Sequence, residues 1–197
     1  MEQITQLLYW ISTGLMIPVM VLLLIFFIRA LMLIGSFYSI YVQKLKFNKE
    51  MKSVFDKLNS KNVRDELQER SQHVKLLSFA YLSKVMRVEP TETHYHKVLN
   101  DFEIECQKDL SGSQTLAKLG PILGLMGTLI PMGPALVGLA SGDIASMASN
   151  MQVAFATTVI GLLIGAVGFI ILQIKRRWYA TDINNLEFVV ELLKKEK

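Results

Sequence analysis

A single cysteine, Cys106, stands in a chain of 197 residues, which excludes an internal disulfide framework. Histidine is scarce too: His73, His94 and His96. The spacing of His94 and His96 does not put them on one helical face, and one thiol cannot complete a zinc-type set, so no metal site is expected. No glycine-rich phosphate cradle and no nucleophile–base arrangement is recognisable. The chain therefore reads as a non-enzyme without a cofactor. Its amino terminus has no basic n-region, and the apolar stretch there is too long for an h-region, so no cleavable signal peptide is expected. The largest absence is charge. Between Leu7 and Ile28 no side chain is charged, and between Leu119 and Ile174 only Asp143 is.

What is present is apolar and concentrated. Hydrophobic residues make up 51% of the chain and mean hydropathy is +0.35. They fall in three long runs, with a highly charged segment from about Lys44 to Lys108 between the first and the others. The net charge of +4 does not point to nucleic acid, because the basic residues sit beside the apolar runs. This pattern predicts an all-α membrane protein with three transmembrane helices and long cytoplasmic helical extensions. A run of about 20 apolar residues crosses the hydrocarbon core. Two placements of the first crossing fit. In one it runs from Leu7 to Ile28, with Arg29 at the interface. In the other, which we favour, residues 1–13 are an interfacial amino-terminal helix and 14–43 the first transmembrane helix. Leu7, Leu8 and Ile11 then share a face near Tyr9 and Trp10, which suit the headgroup level. Pro18 falls in the first turns, where a missing N–H matters less. Arg29 lies inside the apolar band and snorkels to the nearer surface.

Residues 44–115 read as a cytoplasmic helical segment. Charges of both signs alternate from Lys57 to Glu66. Glu89-Pro90 punctuates the segment, and Thr91 caps a following helix with Glu92 in its first turn. Tyr95, Leu99, Phe102, Cys106 and Leu110 step by three or four residues as one apolar stripe. Ser111-Gly112-Ser113 and Gly120-Pro121 are places where that helix can break or kink. Residues 116–174 form a transmembrane hairpin, with crossings at about 116–137 and 150–174 and a turn-rich loop from Gly138 to Ile144. Residues 175–197 are a cytoplasmic amphipathic tail with a stripe of Leu186, Val189, Val190 and Leu193. Lys44, Lys46, Lys49 and Lys52 follow the first crossing, Lys118 opens the second, and Lys175, Arg176 and Arg177 close the third. The amino-terminal stretch and the 138–150 loop hold no Lys or Arg. The positive-inside rule then puts the amino terminus outside and the carboxyl terminus in the cytoplasm.

Both crossings of the hairpin are rich in Gly, Ala and Thr. Small residues one turn apart let backbones approach, so Gly120, Gly124, Gly127, Ala154, Gly161, Gly165 and Gly168 are expected helix-packing positions. Gly124 and Thr128 share a face, as do Thr158, Gly161 and Gly165. Thr128 and Thr158 are candidates for an ion pathway. Thr157, rotated from Thr158 by about 100°, is read as a helix–helix hydrogen-bonding group, or as a further ligand if the ion is sodium. The competing reading is that each hydroxyl bonds back to its own helix. Pro121, Pro131 and Pro134 kink the helix or open a vestibule above Thr128. Asp143, Asn150 and Gln152 fall at the outer mouth. With no titratable group in either crossing beyond Lys118 at the start of the second, the hairpin is either a structural bundle or takes its carboxylate from a partner.

The stretches Gly120-Pro121 with Gly124-Leu125-Met126-Gly127-Thr128, and Ala154-Phe155-Ala156-Thr157-Thr158-Val159-Ile160-Gly161-Leu162, resemble the MotA/TolQ/ExbB proton-channel family. Three crossings, an outside amino terminus and a large cytoplasmic insertion are similar to the TolQ and ExbB branch. The resemblance implies a homo-pentamer around a dimer of a single-crossing MotB/TolR/ExbD-like protein that carries a membrane Asp. It implies that Thr128 and Thr158 face that Asp, and that the complex couples an inner-membrane ion gradient to mechanical work. Members of the TolQ and ExbB branch carry a Glu about five residues before the second Thr. Here Val153 stands there, with Gln152 beside it. The Thr157-Thr158 pair is also reminiscent of sodium-using flagellar stators, so both H+ and Na+ stand as the transported ion. A structural membrane scaffold is the alternative function.

Overall fold

The computed structural model describes residues 2–55, 77–87 and 91–195, and among them every regular element is a helix. In chain order these are α1 (Glu2–Gly14), α2 (Met16–Phe55), α3 (Leu77–Arg87), α4 (Glu92–Ala140) and α5 (Ile144–Lys195). The charge alternation from Lys57 to Glu66, His73 and the Glu89-Pro90 pair lie outside the described residues. Three stretches are long and apolar enough to cross a membrane: Gln6–Leu45, Glu92–Ala140 and Ile144–Lys194.

Local chemistry explains where the helices pause. Pro18 has no amide to offer the Gly14 carbonyl, so α1 and α2 are separated at Leu15. The chain stays tightly wound there, with Leu15 donating to Ile11 and Val19 to Leu15, both at 3.1 Å. By contrast α4 passes Ser111-Gly112-Ser113 and holds Pro121, Pro131 and Pro134 inside one continuous helix. Likewise α5 continues through Lys175 into the amphipathic tail. The loop between them shrinks to residues 141–143.

The helices divide between two compact units, Met1–Ser36 with Gly112–Leu172 and Phe37–Ser111 with Gln173–Lys197. In the first, Val19, Leu23 and Ala30 of α2 pack with Leu116, Leu123 and Ile130 of α4 and Ile164 of α5. The α2 residues step by four and seven, which keeps them on one face. The outer faces of the same helices are apolar as well, as at Leu24, Ile28, Leu125, Leu129, Val159 and Leu162. A helix that is apolar on every side suits a bilayer or another apolar helix, not water.

The second unit has the segregated pattern of a water-soluble bundle. Tyr81, Leu82 and Val85 of α3 meet Tyr95, Val98, Phe102 and Cys106 of α4 and Leu186, Val189, Val190 and Leu193 of α5. The two stripes legible in the sequence are thus two sides of one core, and α3 supplies the third. Val98 is the buried position, with Leu99 at the margin. Burial pushes the Cys106 thiol up to about 12, aided by Asp182 and Asp109, so it stays protonated and inert.

Among the described residues two ion pairs with a buried lysine cross this unit, besides the more exposed Lys194–Glu92 pair at 3.0 Å. Lys44 Nζ lies 2.6 Å from both carboxylate oxygens of Asp182, and the two residues are 3% and 5% exposed. Lys175 Nζ donates to Asp109 Oδ2 at 2.7 Å, and the Tyr179 hydroxyl donates to the same oxygen. Burial and Asp109 hold the Tyr179 hydroxyl well above the usual phenol range. Burial raises the Asp182 carboxyl despite the opposing pull of Lys44. A buried pair of this kind adds little net stability, but removing one partner leaves an uncompensated charge. We therefore expect Lys44→Met or Asp182→Leu alone to cost about 3–5 kcal/mol, and the double variant to lie near the parent. Melting in detergent of the four proteins tests this. In Lys44→Met the raised carboxyl makes the native state the better proton binder. Its stability should fall as pH rises above the ordinary carboxylate range, and recover in part at about pH 5.

Candidate functional site

The hairpin of α4 and α5 is closed by its turn. Gly142 has φ 77°, a left-handed conformation open to glycine without steric cost. Its amide donates to Leu139 at 3.2 Å, and the Asp143 amide donates to Gly138 at 2.8 Å, so the last carbonyls of α4 are satisfied. Asp143 then caps α5, its Oδ1 accepting the Ser146 amide at 3.0 Å. The carboxylate of Asp143 thus has a local structural partner.

Below the turn the two backbones touch. A Cβ added at Gly161 would lie 2.5 Å from Gly124 Cα and 2.7 Å from the Gly120 oxygen. One at Gly165 would lie 2.6 Å from the Pro121 ring, and one at Gly168 would lie 2.5 Å from the Ala117 amide nitrogen. One at Gly127 would lie 2.6 Å from Thr157 Cβ. Ala154 and Pro131 are both buried further along. The line of contact on α5 is therefore Thr157, Gly161, Gly165 and Gly168. At the far end of the seam the Ser113 hydroxyl is buried and has no partner among the described residues.

The three threonines fall on different sides of this line. Thr157 is 7% exposed and sits against Gly127. Its hydroxyl donates within α5, to Val153 at 3.1 Å and Ala154 at 2.9 Å, and not across to α4. Thr158 is half-buried and donates to Ala154 at 3.2 Å. Its Cα lies 3.5 Å from where a Gly124 Cβ would stand, so Thr158 borders the seam without lying in it. Thr128, one turn beyond Gly124, is half-buried too and donates to Leu125 at 2.7 Å. Spacing grouped Thr158 with Gly161 and Gly165 on one face, but it is Thr157 that lies in the seam with them. The bulk of Pro121 was the available signal: its ring needs a glycine opposite, and pairing it with Gly165 turns Thr157 inward.

A membrane bundle whose hairpin is joined along glycines, with hydroxyls and no ionisable side chain between Leu119 and Ala140 or between Ile144 and Ile174, has the makings of a channel subunit. The chain belongs to the MotA/TolQ/ExbB proton channel family, whose model matches residues 44–187. Members of this family act with a partner protein in a complex. A search of curated proteins gives no match. His94 and His96 are exposed, and no metal-binding group of side chains occurs among the described residues.

The seam makes a sharp stability prediction. Gly161→Ala forces a methyl onto α4 backbone and should destabilise the chain by about 1–3 kcal/mol. Gly112→Ala has nothing within 4 Å, and should stabilise by about 0.5–1 kcal/mol through helix propensity. Thermal melting in detergent should therefore move in opposite directions for the two variants.

Proposed function

We propose that this chain is the ion-conducting, stator-type subunit of a rotary motor in the cytoplasmic (inner) membrane. Five copies surround a dimer of a single-crossing MotB/TolR/ExbD-like partner, with the amino terminus outside. The partner's membrane Asp binds H+ or Na+, and Thr128 and Thr158 offer oxygens beside its route. Ion binding and release bias rotation of one ring against the other. The observation that carries this reading is the hairpin itself: half-buried hydroxyls border a glycine seam, and between Leu119 and Ile174 no carboxylate but that of Asp143 in the turn is present. Dehydrating a cation there without a carboxylate is costly, so the charge has to come from a second chain.

The scaffold reading differs at the threonines, because a scaffold tolerates their loss. Val matches the shape of Thr without its hydrogen bond. Thr128→Val and Thr158→Val should leave a pentamer intact by mass measurement but lower ion flux into liposomes by about tenfold or more, on the order of one lost charge-assisted hydrogen bond. Thr157→Val should be milder for protons, and should selectively weaken sodium dependence if that side chain coordinates sodium. Flux should also require the partner. Full activity of the Thr128→Val, Thr158→Val double variant favours the scaffold.

A further inference from the structure

The second unit contains an open cleft of about 230 Å³, outside the glycine seam. Two lysines, Lys44 and Lys175, face three carboxylates there, Glu105, Asp109 and Asp182. Lys44 and Asp182 satisfy one another. The remaining groups are less complete. The Lys175 ammonium is 5% exposed and carries three N–H donors. It has a single acceptor among the described residues, Asp109. One acceptor meets the usual minimum for a buried polar atom and leaves the ammonium with donor capacity for a ligand. Trp178 lines the same cleft, its ring stacked on Phe37 with centroids 5.5 Å apart, and its indole N–H makes no hydrogen bond among the described residues.

The acceptors are also underused. Asp109 receives both of its donors from the described residues on Oδ2, and Oδ1 has none among them. Glu105, one turn away on the same face of α4, has among the described residues only Lys108 at 3.6 Å, beyond hydrogen-bond range. The cleft therefore offers N–H donors on α5 and carboxylate oxygens on α4. Lys175 is the first charged residue after the apolar run that ends at Ile174. Phe37, Tyr41 and Trp178 form an aromatic cluster of the kind found at headgroup depth.

We propose that this cleft binds the phosphoethanolamine headgroup of an inner-leaflet phospholipid. The phosphate accepts from Lys175 and Trp178, and the primary ammonium donates to Glu105 and Asp109 Oδ1. A free phosphate is a poorer match, because it brings no cation for the carboxylates. A choline headgroup is poorer too, because its methylated nitrogen has no N–H to donate.

The test uses the full-length chain in nanodiscs holding equal ethanolamine and choline phospholipids with the same acyl chains. The complex is moved to mild detergent, and retained lipid is counted by native mass spectrometry. The wild type should retain ethanolamine lipid over choline lipid by about tenfold, the worth of one charge-assisted hydrogen bond. Glu105→Gln, at a half-exposed position, should lose that preference at an unchanged melting temperature. Lys175→Gln should lose retention of both lipids. Equal retention of the two lipids by the wild type overturns the proposal, as does an undiminished preference in Glu105→Gln. Displacement of the retained lipid by millimolar inorganic phosphate overturns it in favour of a free-anion site.

Discussion

The first unit depends on the contact of bare backbone between Gly124 and Gly161. Lipid tails are as apolar as leucine, so two membrane helices gain no hydrophobic energy by meeting. They gain dispersion energy, which falls off steeply with any gap. Contact at this range is available only where Cβ atoms are missing, and here that condition holds at Gly120, Gly124, Gly127, Gly161, Gly165 and Gly168 in turn. The same glycines set the register of the hairpin. Once Gly161 lies on Gly124, Thr157 is turned onto Gly127 and Thr158 is left at the edge.

The second unit obeys different physics. Its core buries Phe102, Val189 and Val85 almost completely, and each large side chain removed from water is worth about 1.5–3 kcal/mol. That is ample to hold three helices together. Lys44–Asp182 is therefore not needed as glue. Its effect is selectivity: a buried lysine tolerates only an arrangement that brings a carboxylate to it. Residues 138 apart in sequence are thereby held to one alignment of α2 against α5.

Much of this was legible in the chain. The three apolar runs follow from hydropathy, and the stripes at Tyr95–Cys106 and Leu186–Leu193 from helical period. Helix continuity was not. Ser-Gly-Ser and three prolines are breakers by local propensity, yet α4 runs through all of them. Packing on α2 and α5 outweighs local cost here, and Pro121 finds a neighbour in Gly165 shaped for its ring. The ion pairs were also hidden, because no periodicity links Lys44 to Asp182 or Asp109 to Lys175. Spacing also put the wrong one of two adjacent threonines on the seam, Thr158 in place of Thr157, since that choice depends on the register of the partner helix.

The back-bonded geometry of the threonines bears on the proposed ion pathway. A hydroxyl that donates to a carbonyl of its own helix has used its one proton and keeps its acceptor lone pairs. Such an oxygen can still receive a donor or a cation from the side, so back-bonding and a place on an ion route are compatible. What decides is access. Thr157 is buried against Gly127 with its hydroxyl over two carbonyls, whereas Thr128 and Thr158 are half-exposed. Because their protons are directed into the helix, Thr128 and Thr158 offer mainly oxygen to whatever passes. That favours a positively charged or proton-donating traveller over an anion, in keeping with a seam that carries no cationic side chain to attract anions.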